Sequence, residues 1–141
     1  MTDPGSTSHD KVAFELVAPE RLLASEAVDM VVAPGAAGDF GVLPGHSLLM
    51  SLLRPGVIEI YEGNQVTRRI FVGGGFAEVN PRGCIVLAEE AMPVEDLDPA
   101  AARERLRNAE EDLGQAKDDA ARTAAEREIA IAEAQIQAAG G

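Results

Sequence analysis

The chain has 141 residues, enough for one ordinary domain or a small domain with an appendage. Its net charge of −12, from 12 basic and 24 acidic residues, argues against nucleic acid or anionic lipid as a partner, because both need clustered Lys and Arg. A single cysteine, Cys84, cannot form an internal disulfide, and no apolar run approaches the ~20 residues of a spanning helix, so a reducing compartment and no membrane insertion are expected.

The first ten residues, "MTDPGSTSHD", are polar and acidic and lack the pattern of a secretion or transit signal. They are expected to form a flexible tail over 1–10. From Lys11 the chain reads as β. "KVAFELV" (11–17) puts Val12, Phe14 and Leu16 on one face and Ala13 and Glu15 on the other. "EAVDMVVAP" (26–34) reads as a Val-rich strand ending at Pro34-Gly35, and "GDFGVLPGHS" (38–47) as a constrained loop. "GVIEIYE" (56–62) and "QVTRRIFV" (65–72) flank Gly63-Asn64, the spacing of a tight hairpin. "GFAEV" (75–79) and "CIVLAEE" (84–90) flank Asn80-Pro81-Arg82-Gly83, where Pro fixes φ and Gly is expected to turn the chain back. Short strands with such closely spaced turns predict an antiparallel β-sandwich or barrel.

At Asp98 the period changes. Asp98-Pro99 is a helix start, and Ala102, Leu106, Ala109, Leu113 and Ala116 follow as a narrow apolar stripe. A second stripe, Ala121, Ala125, Ile129, Ala132 and Ile136, is out of phase with the first. Two helices broken near Gly114 and Lys117-Asp118-Asp119, packed as an αα-hairpin, fit this better than one rod. The expected organisation is therefore a tail over 1–10, an antiparallel β-sandwich over 11–96 and a C-terminal two-helix antiparallel hairpin over 97–141.

The residue types of "GDFGVLPGHS" are those of an active site, but their spacing is not. His46 is adjacent to Ser47, and neighbours on an extended chain point to opposite faces, so no nucleophile–base–orienter triad is expected even with Asp39 near. Gly41 and Gly45 do not make a phosphate loop, since no Lys follows, and "GGGF" (73–76) leads into a strand rather than a helix. Its glycines read instead as a bulge or a close approach of another strand. Two distant histidines and one cysteine offer no metal cluster, and Cys84 reads as a small buried residue. Glu89-Glu90 and Glu110-Glu111 read as solvated faces. No catalytic apparatus, metal or cofactor is expected.

"GDFGVLPGHSLLMSLLRPGVIEI" (38–60), "FVGGGFAEVNPRGCIVLAEEA" (71–91) and "DLDPAAARERLRNAEEDL" (96–113) together resemble the ε subunit family of bacterial F-type ATP synthases, with G-x-L-P-G-H followed by L-x-P-G-V as the specific signature. The resemblance implies a ten-stranded β-sandwich followed by two helices. It implies a non-catalytic central-stalk subunit, docked on the γ subunit and the c-ring, that turns with the rotor coupling proton flow to ATP synthesis. It also implies a peripheral position on the cytoplasmic face of the bacterial inner membrane. The family's c-ring contact loop matches Asp39, Phe40, Gly41, Val42, Leu43, Pro44, Gly45 and His46, with its acidic position on Asp39. Glycines and Pro44 would fix that loop's shape with little entropy left to lose on docking.

In many members of that family the hairpin extends along γ and blocks ATP hydrolysis, contacting the α and β subunits, with basic residues on the second helix meeting an acidic segment of the β subunit. Here Arg122 and Arg127 stand among Asp118, Asp119, Glu126, Glu128 and Glu133, which disfavours a grip on an acidic partner. Arg103, Arg105 and Arg107 alternate and form no single helix face. The family's ATP motif, [IL]-D-x-x-R-A, is matched by Leu97 to Ala102 except that Ala101 occupies the arginine position. Without that cation no tight ATP site is expected. Two other readings compete: a small free-standing enzyme, and a generic adaptor whose helical hairpin binds a partner helix.

Overall fold

The structure is a computed structural model that describes residues 11–140; the tail expected over 1–10 lies outside them. Eight strands are followed by two helices: β1 (Val12–Ala18), β2 (Arg21–Val28), β3 (Met30–Gly35), β4 (Gly38–Val42), β5 (Leu49–Glu62), β6 (Gln65–Asn80), β7 (Gly83–Ala88), β8 (Ala91–Pro93), α1 (Pro99–Gly114) and α2 (Asp119–Ala138). The chain divides into two compact units, the first ending at Met92 and the second beginning at Pro93.

The strands join in the order β2-β1-β7-β6-β5-β3-β4, with β8 beside β6. All pairs on that path are antiparallel except β1 and β7, which run parallel. The two longest strands, β5 and β6, pair with each other along nearly their whole length. Pro55 of β5 lies opposite Gly73 of β6. Leu49–Leu53 pair with Gly75–Val79 on one side of that position, and Gly56–Glu62 with Gln65–Val72 on the other. The family resemblance implies ten strands; the described residues form eight, with β5 and β6 each unbroken through the Pro55–Gly73 pair. Between the layers sit Phe14, Leu16, Ile58, Ile60, Ile70 and Val79, all 1% exposed or less. The alternation of "KVAFELV" is obeyed, with Val12, Phe14 and Leu16 buried and Ala13 and Glu15 exposed.

Three segments differ from the sequence reading. "EAVDMVVAP" is two strands, split at Asp29, where the chain leaves β1 and takes β5 as its neighbour. Asp29 secures that crossing: its carboxylate accepts from Lys11 Nζ at 2.7 Å and from the amide of Gly63. "GDFGV" is the edge strand β4 rather than loop, joined to β3 by a two-residue turn at Ala36-Ala37. Gly83 does not turn the chain back, since its φ is not positive. The turn is made by Asn80, whose side-chain oxygen accepts from the amides of Arg82 (2.8 Å) and Gly83 (3.1 Å). Gly63 does meet its expectation: it has φ 64° at the first turn position while Asn64 has none, the pattern of a II′ hairpin. The "GGGF" run marks a close approach, for a Cβ on Gly75 would lie 2.3 Å from the Leu87 carbonyl oxygen.

In the second unit Asp98 caps α1 through the amide of Ala100 at 3.0 Å, with Pro99 at the first helical position. Asp118 caps α2 through the amide of Ala121 at 2.7 Å. The α1 stripe holds over four of its five positions, with Ala102 and Ala109 buried and Leu106 and Leu113 half-buried, while Ala116 falls beyond the helix end at Gly114. The α2 stripe holds in part. Ala121 is exposed, while Ile131 and Gln135 join Ala125 and Ala132 among the buried residues. Alanine marks a face poorly because it costs little on either side of a helix.

Candidate interaction surfaces

The segment after β4 is shaped by its own sequence. The amide of His46 donates to the Leu43 carbonyl at 3.2 Å, closing a turn with Pro44 and then Gly45 at φ 78°. Pro at the second position and a positive φ at the third define a type II turn, and both residue types are those it requires. The turn is anchored from outside, since the amide of Gly45 donates to the carbonyl of Pro81 in the β6–β7 turn at 3.2 Å.

The eight residues expected to form one contact loop play different parts. Val42 is fully buried in the sandwich core, and Phe40 is half-buried against that core, so these two support the segment. Leu43 is 56% exposed, and Asp39, Gly41 and Gly45 are exposed, with Pro44 and His46 between. Asp39 and His46 are held separately. Asp39 accepts from Arg54 of β5, while His46 Nδ1 donates to the Ser47 carbonyl oxygen at 2.6 Å. His46 is thus engaged with backbone, and Asp39 does not orient it. Among the described residues no group of three or more His, Cys, Asp or Glu side chains could hold a metal ion. Burial pushes the Cys84 thiol up to about 12, so it is not a nucleophile at neutral pH.

The sequence reading missed a second surface. Cross-strand partners share a face, and the register lines up Leu52 (β5), Phe76 (β6), Leu87 (β7), Val17 (β1) and Leu22 (β2) in one row across five strands. All five are apolar. Leu52 is 66%, Leu22 59% and Leu87 53% exposed, and Phe76 and Val17 are half-buried. The next row, Met50, Glu78, Ile85, Glu15 and Ser25, mixes apolar and acidic side chains. The signal was present as apolar residues at the outward parity of each strand, but only the register joins them into one patch.

In the hairpin, the guanidinium of Arg105 on α1 grips Glu128 on α2 in a forked pair, Nε to Oε1 at 2.8 Å and Nη2 to Oε2 at 3.1 Å. That pairing, led by the hydrogen bond from Arg105, holds the Glu128 carboxyl below its ordinary value. Arg107 pairs with Glu104 along α1, and Arg122 with Asp119 at 2.9 Å along α2. The alternate arginines of α1 therefore serve different partners. A groove on the hairpin beside Ala101 is lined by Glu104, Asp112 and Glu128, with Arg105 committed to Glu128. That is poor electrostatics for a polyphosphate. No helix among the described residues is long and apolar enough to cross a membrane.

Residues 11–94 match the family model described as ATP synthase, Delta/Epsilon chain, beta-sandwich domain. The chain belongs to that family. Its relatives include the ATP synthase epsilon chain of Rhodospirillum rubrum, 52% identical over 128 residues that cover 91% of this chain and 96% of the relative. The ATP synthase epsilon chain of Paramagnetospirillum magneticum is 49% identical over 129 residues, covering 92% and 97%. Among solved structures, a chain of the Euglena gracilis mitochondrial ATP synthase, in its OSCP/F1/c-ring assembly in rotational state 1, superposes with a TM-score of 0.77 at 28% identity, covering 94% of this chain and 82% of that one. A chain of the Tetrahymena thermophila mitochondrial ATP synthase, from its central stalk and c-ring, shares the fold at a TM-score of 0.62 and 15% identity, covering 92% and 98%.

Proposed function

We propose that this chain is a non-catalytic rotor subunit of a bacterial F-type ATP synthase, bound at the cytoplasmic face of the inner membrane as a peripheral member of the complex. Its β-sandwich, residues 11–96, docks on the γ subunit and on the c-ring, so that proton-driven rotation of the ring is passed to the central stalk. The observation that carries this reading is the exposed apolar row Leu52, Phe76, Leu87, Val17 and Leu22 on a chain of the delta/epsilon family. An exposed apolar row of that extent, flanked by a row that carries Glu15 and Glu78, is what a protein partner covers. The row is assigned to γ, and the segment from Asp39 to His46 to the polar loops of the c-ring. Torque transmission needs stiffness and contact area, which a doubled sheet offers, and no reactive group.

The hairpin over 97–141 is assigned a regulatory position with a weak effect on hydrolysis. Arg105 and Arg122 are spent on Glu128 and Asp119, which leaves little for a grip on the α and β subunits. The adaptor alternative would put the essential contacts on this hairpin instead. The test uses membrane vesicles whose ATP synthase has been stripped of this subunit. Adding back the whole chain, or a chain ending at Asp96, is expected to restore proton-driven ATP synthesis in both cases. Restoration by the whole chain alone would refute the assignment of docking to the sandwich.

A further inference from the structure

Arg54 lies in β5 beside Pro55, and its guanidinium makes two different bonds. Nη1 donates to the carbonyl of Gly35 on β3, and Nη2 to Oδ1 of Asp39 on β4, each at 2.5 Å. The bonds therefore span three strands, β5, β3 and β4. They sit beside an interruption in the backbone pairing of β3 with β5. The β3–β5 ladder shifts register between Val32 and Gly35, and Pro34, inside that interruption, has no N–H to give. Asp39 itself is on an edge strand, with its side chain 61% exposed. An exposed aspartate on an edge strand would ordinarily sample several rotamers; a planar fork already anchored to a backbone carbonyl removes that freedom.

We propose that Arg54 is the positioning residue for Asp39: it presents the Asp39 carboxylate to the c-ring in one fixed orientation, with one oxygen engaged and the other left to accept from the partner. This rests on the assignment of Asp39 to the c-ring contact above. The pair is exposed enough that its effect on folding is small, whereas the ordering cost it removes is felt on docking. Arg54 was passed over in the sequence because it reads only as the variable position of the L-x-P-G-V step.

The test is a double-mutant cycle in the complex, read as the concentration of added chain that half-restores ATP-driven proton pumping in vesicles stripped of this subunit. Asp39→Asn alone should raise that concentration severalfold, Arg54→Gln should raise it by a similar factor, and the double variant should be no worse than either. Arg54→Lys, which keeps the charge but loses the fork, should recover part of the loss. Thermal melting of each isolated variant accompanies the cycle. Losses that multiply in the double variant, or an Arg54→Gln loss that follows a lowered melting temperature and persists with Asn at position 39, would overturn the proposal while leaving Asp39 as a contact. An Asp39→Asn variant that pumps as well as the parent would instead remove the assignment of Asp39, and the proposal with it.

Discussion

A Cβ added to Gly83 would stand 2.0 Å from the carbonyl oxygen of Ala13, inside the parallel pairing of β7 with β1. The obstacle is backbone held by its own ladder, so it cannot swing aside as a side chain would. Gly83→Ala is expected to destabilise the sandwich by about 3 kcal/mol, the upper end of ordinary overpacking. Gly63→Ala, with open space around it and only a positive φ to overcome, should cost about 1 kcal/mol. Urea denaturation of the two variants side by side checks the ordering.

Val42 and Leu43 are neighbours with opposite duties. Val42→Ala removes two methyl groups from the core and should cost about 2 kcal/mol of stability. Leu43→Ala should change stability by less than about 0.5 kcal/mol, because its side chain is exposed. It should nevertheless weaken rebinding to stripped vesicles. Equal stability losses from the two would place Leu43 in the core as well.

The apolar row predicts a separation of binding from folding. Leu87→Ser and Leu52→Ser should leave the urea midpoint close to that of the parent and reduce affinity for purified γ by about tenfold each, near 1.4 kcal/mol. Unchanged affinity in both variants would move the γ contact elsewhere on the sandwich.

Acid should loosen the hairpin through Glu128. Its folded pKa is depressed by Arg105, so the stabilisation is present above the unfolded value of about 4.3 and is lost as pH falls through the folded value. The pair is partly exposed, and solvent screening limits its contribution to about 0.5 kcal/mol. Glu128→Gln should therefore melt slightly lower than the parent at pH 7, with the gap closing toward pH 3. Helical ellipticity against temperature at the two pH values reads this directly.

The Lys11–Asp29 pair should act across a wider range. Asp29 is held below its usual value, first by the hydrogen bond from Lys11 and next by that from the Gly63 amide. Lys11 is raised, first by Asp29 and then by Glu62. The Asp29 contribution is present above about pH 4 and fades as pH falls through its folded value, while the Lys11 contribution is present below about pH 10.4 and fades as pH rises through its raised value. Lys11→Met should remove the Lys11 contribution at the alkaline end and reduce the acid-end dependence without abolishing it, because the Gly63 amide still holds Asp29. A profile unchanged by Lys11→Met would show that other groups set it.

Much of the architecture was legible because it is written at short range. Val12, Phe14 and Leu16 alternate with Ala13 and Glu15; Gly63-Asn64 makes its hairpin; Asp98-Pro99 opens its helix. Each needs only a few neighbouring residues to be decided. Asp29 was harder, since it interrupts a Val-rich run without Gly or Pro, and what divides the strands is its carboxylate reaching Lys11 and Gly63. The segment 38–42 reads as loop in the sequence because Gly38, Gly41 and Gly45, with Pro44, punctuate 38–47. Its pairing with β3 outweighs that local preference.

Sequence alone determined that a β unit is followed by two helices, that Val12, Phe14 and Leu16 face the core, and that Gly63-Asn64 makes a tight hairpin, because local backbone preference and the period of the apolar pattern settle those. Only the tertiary structure decided that Val42 is core while Leu43 is surface, that Gly83 makes room for Ala13, that Arg54 holds Asp39, and that five strands contribute one apolar row. The reason is register. Parity along a strand says which face a side chain takes, but which residues stand beside it depends on how strands far apart in the chain are aligned, and that alignment exists only once the strands have paired.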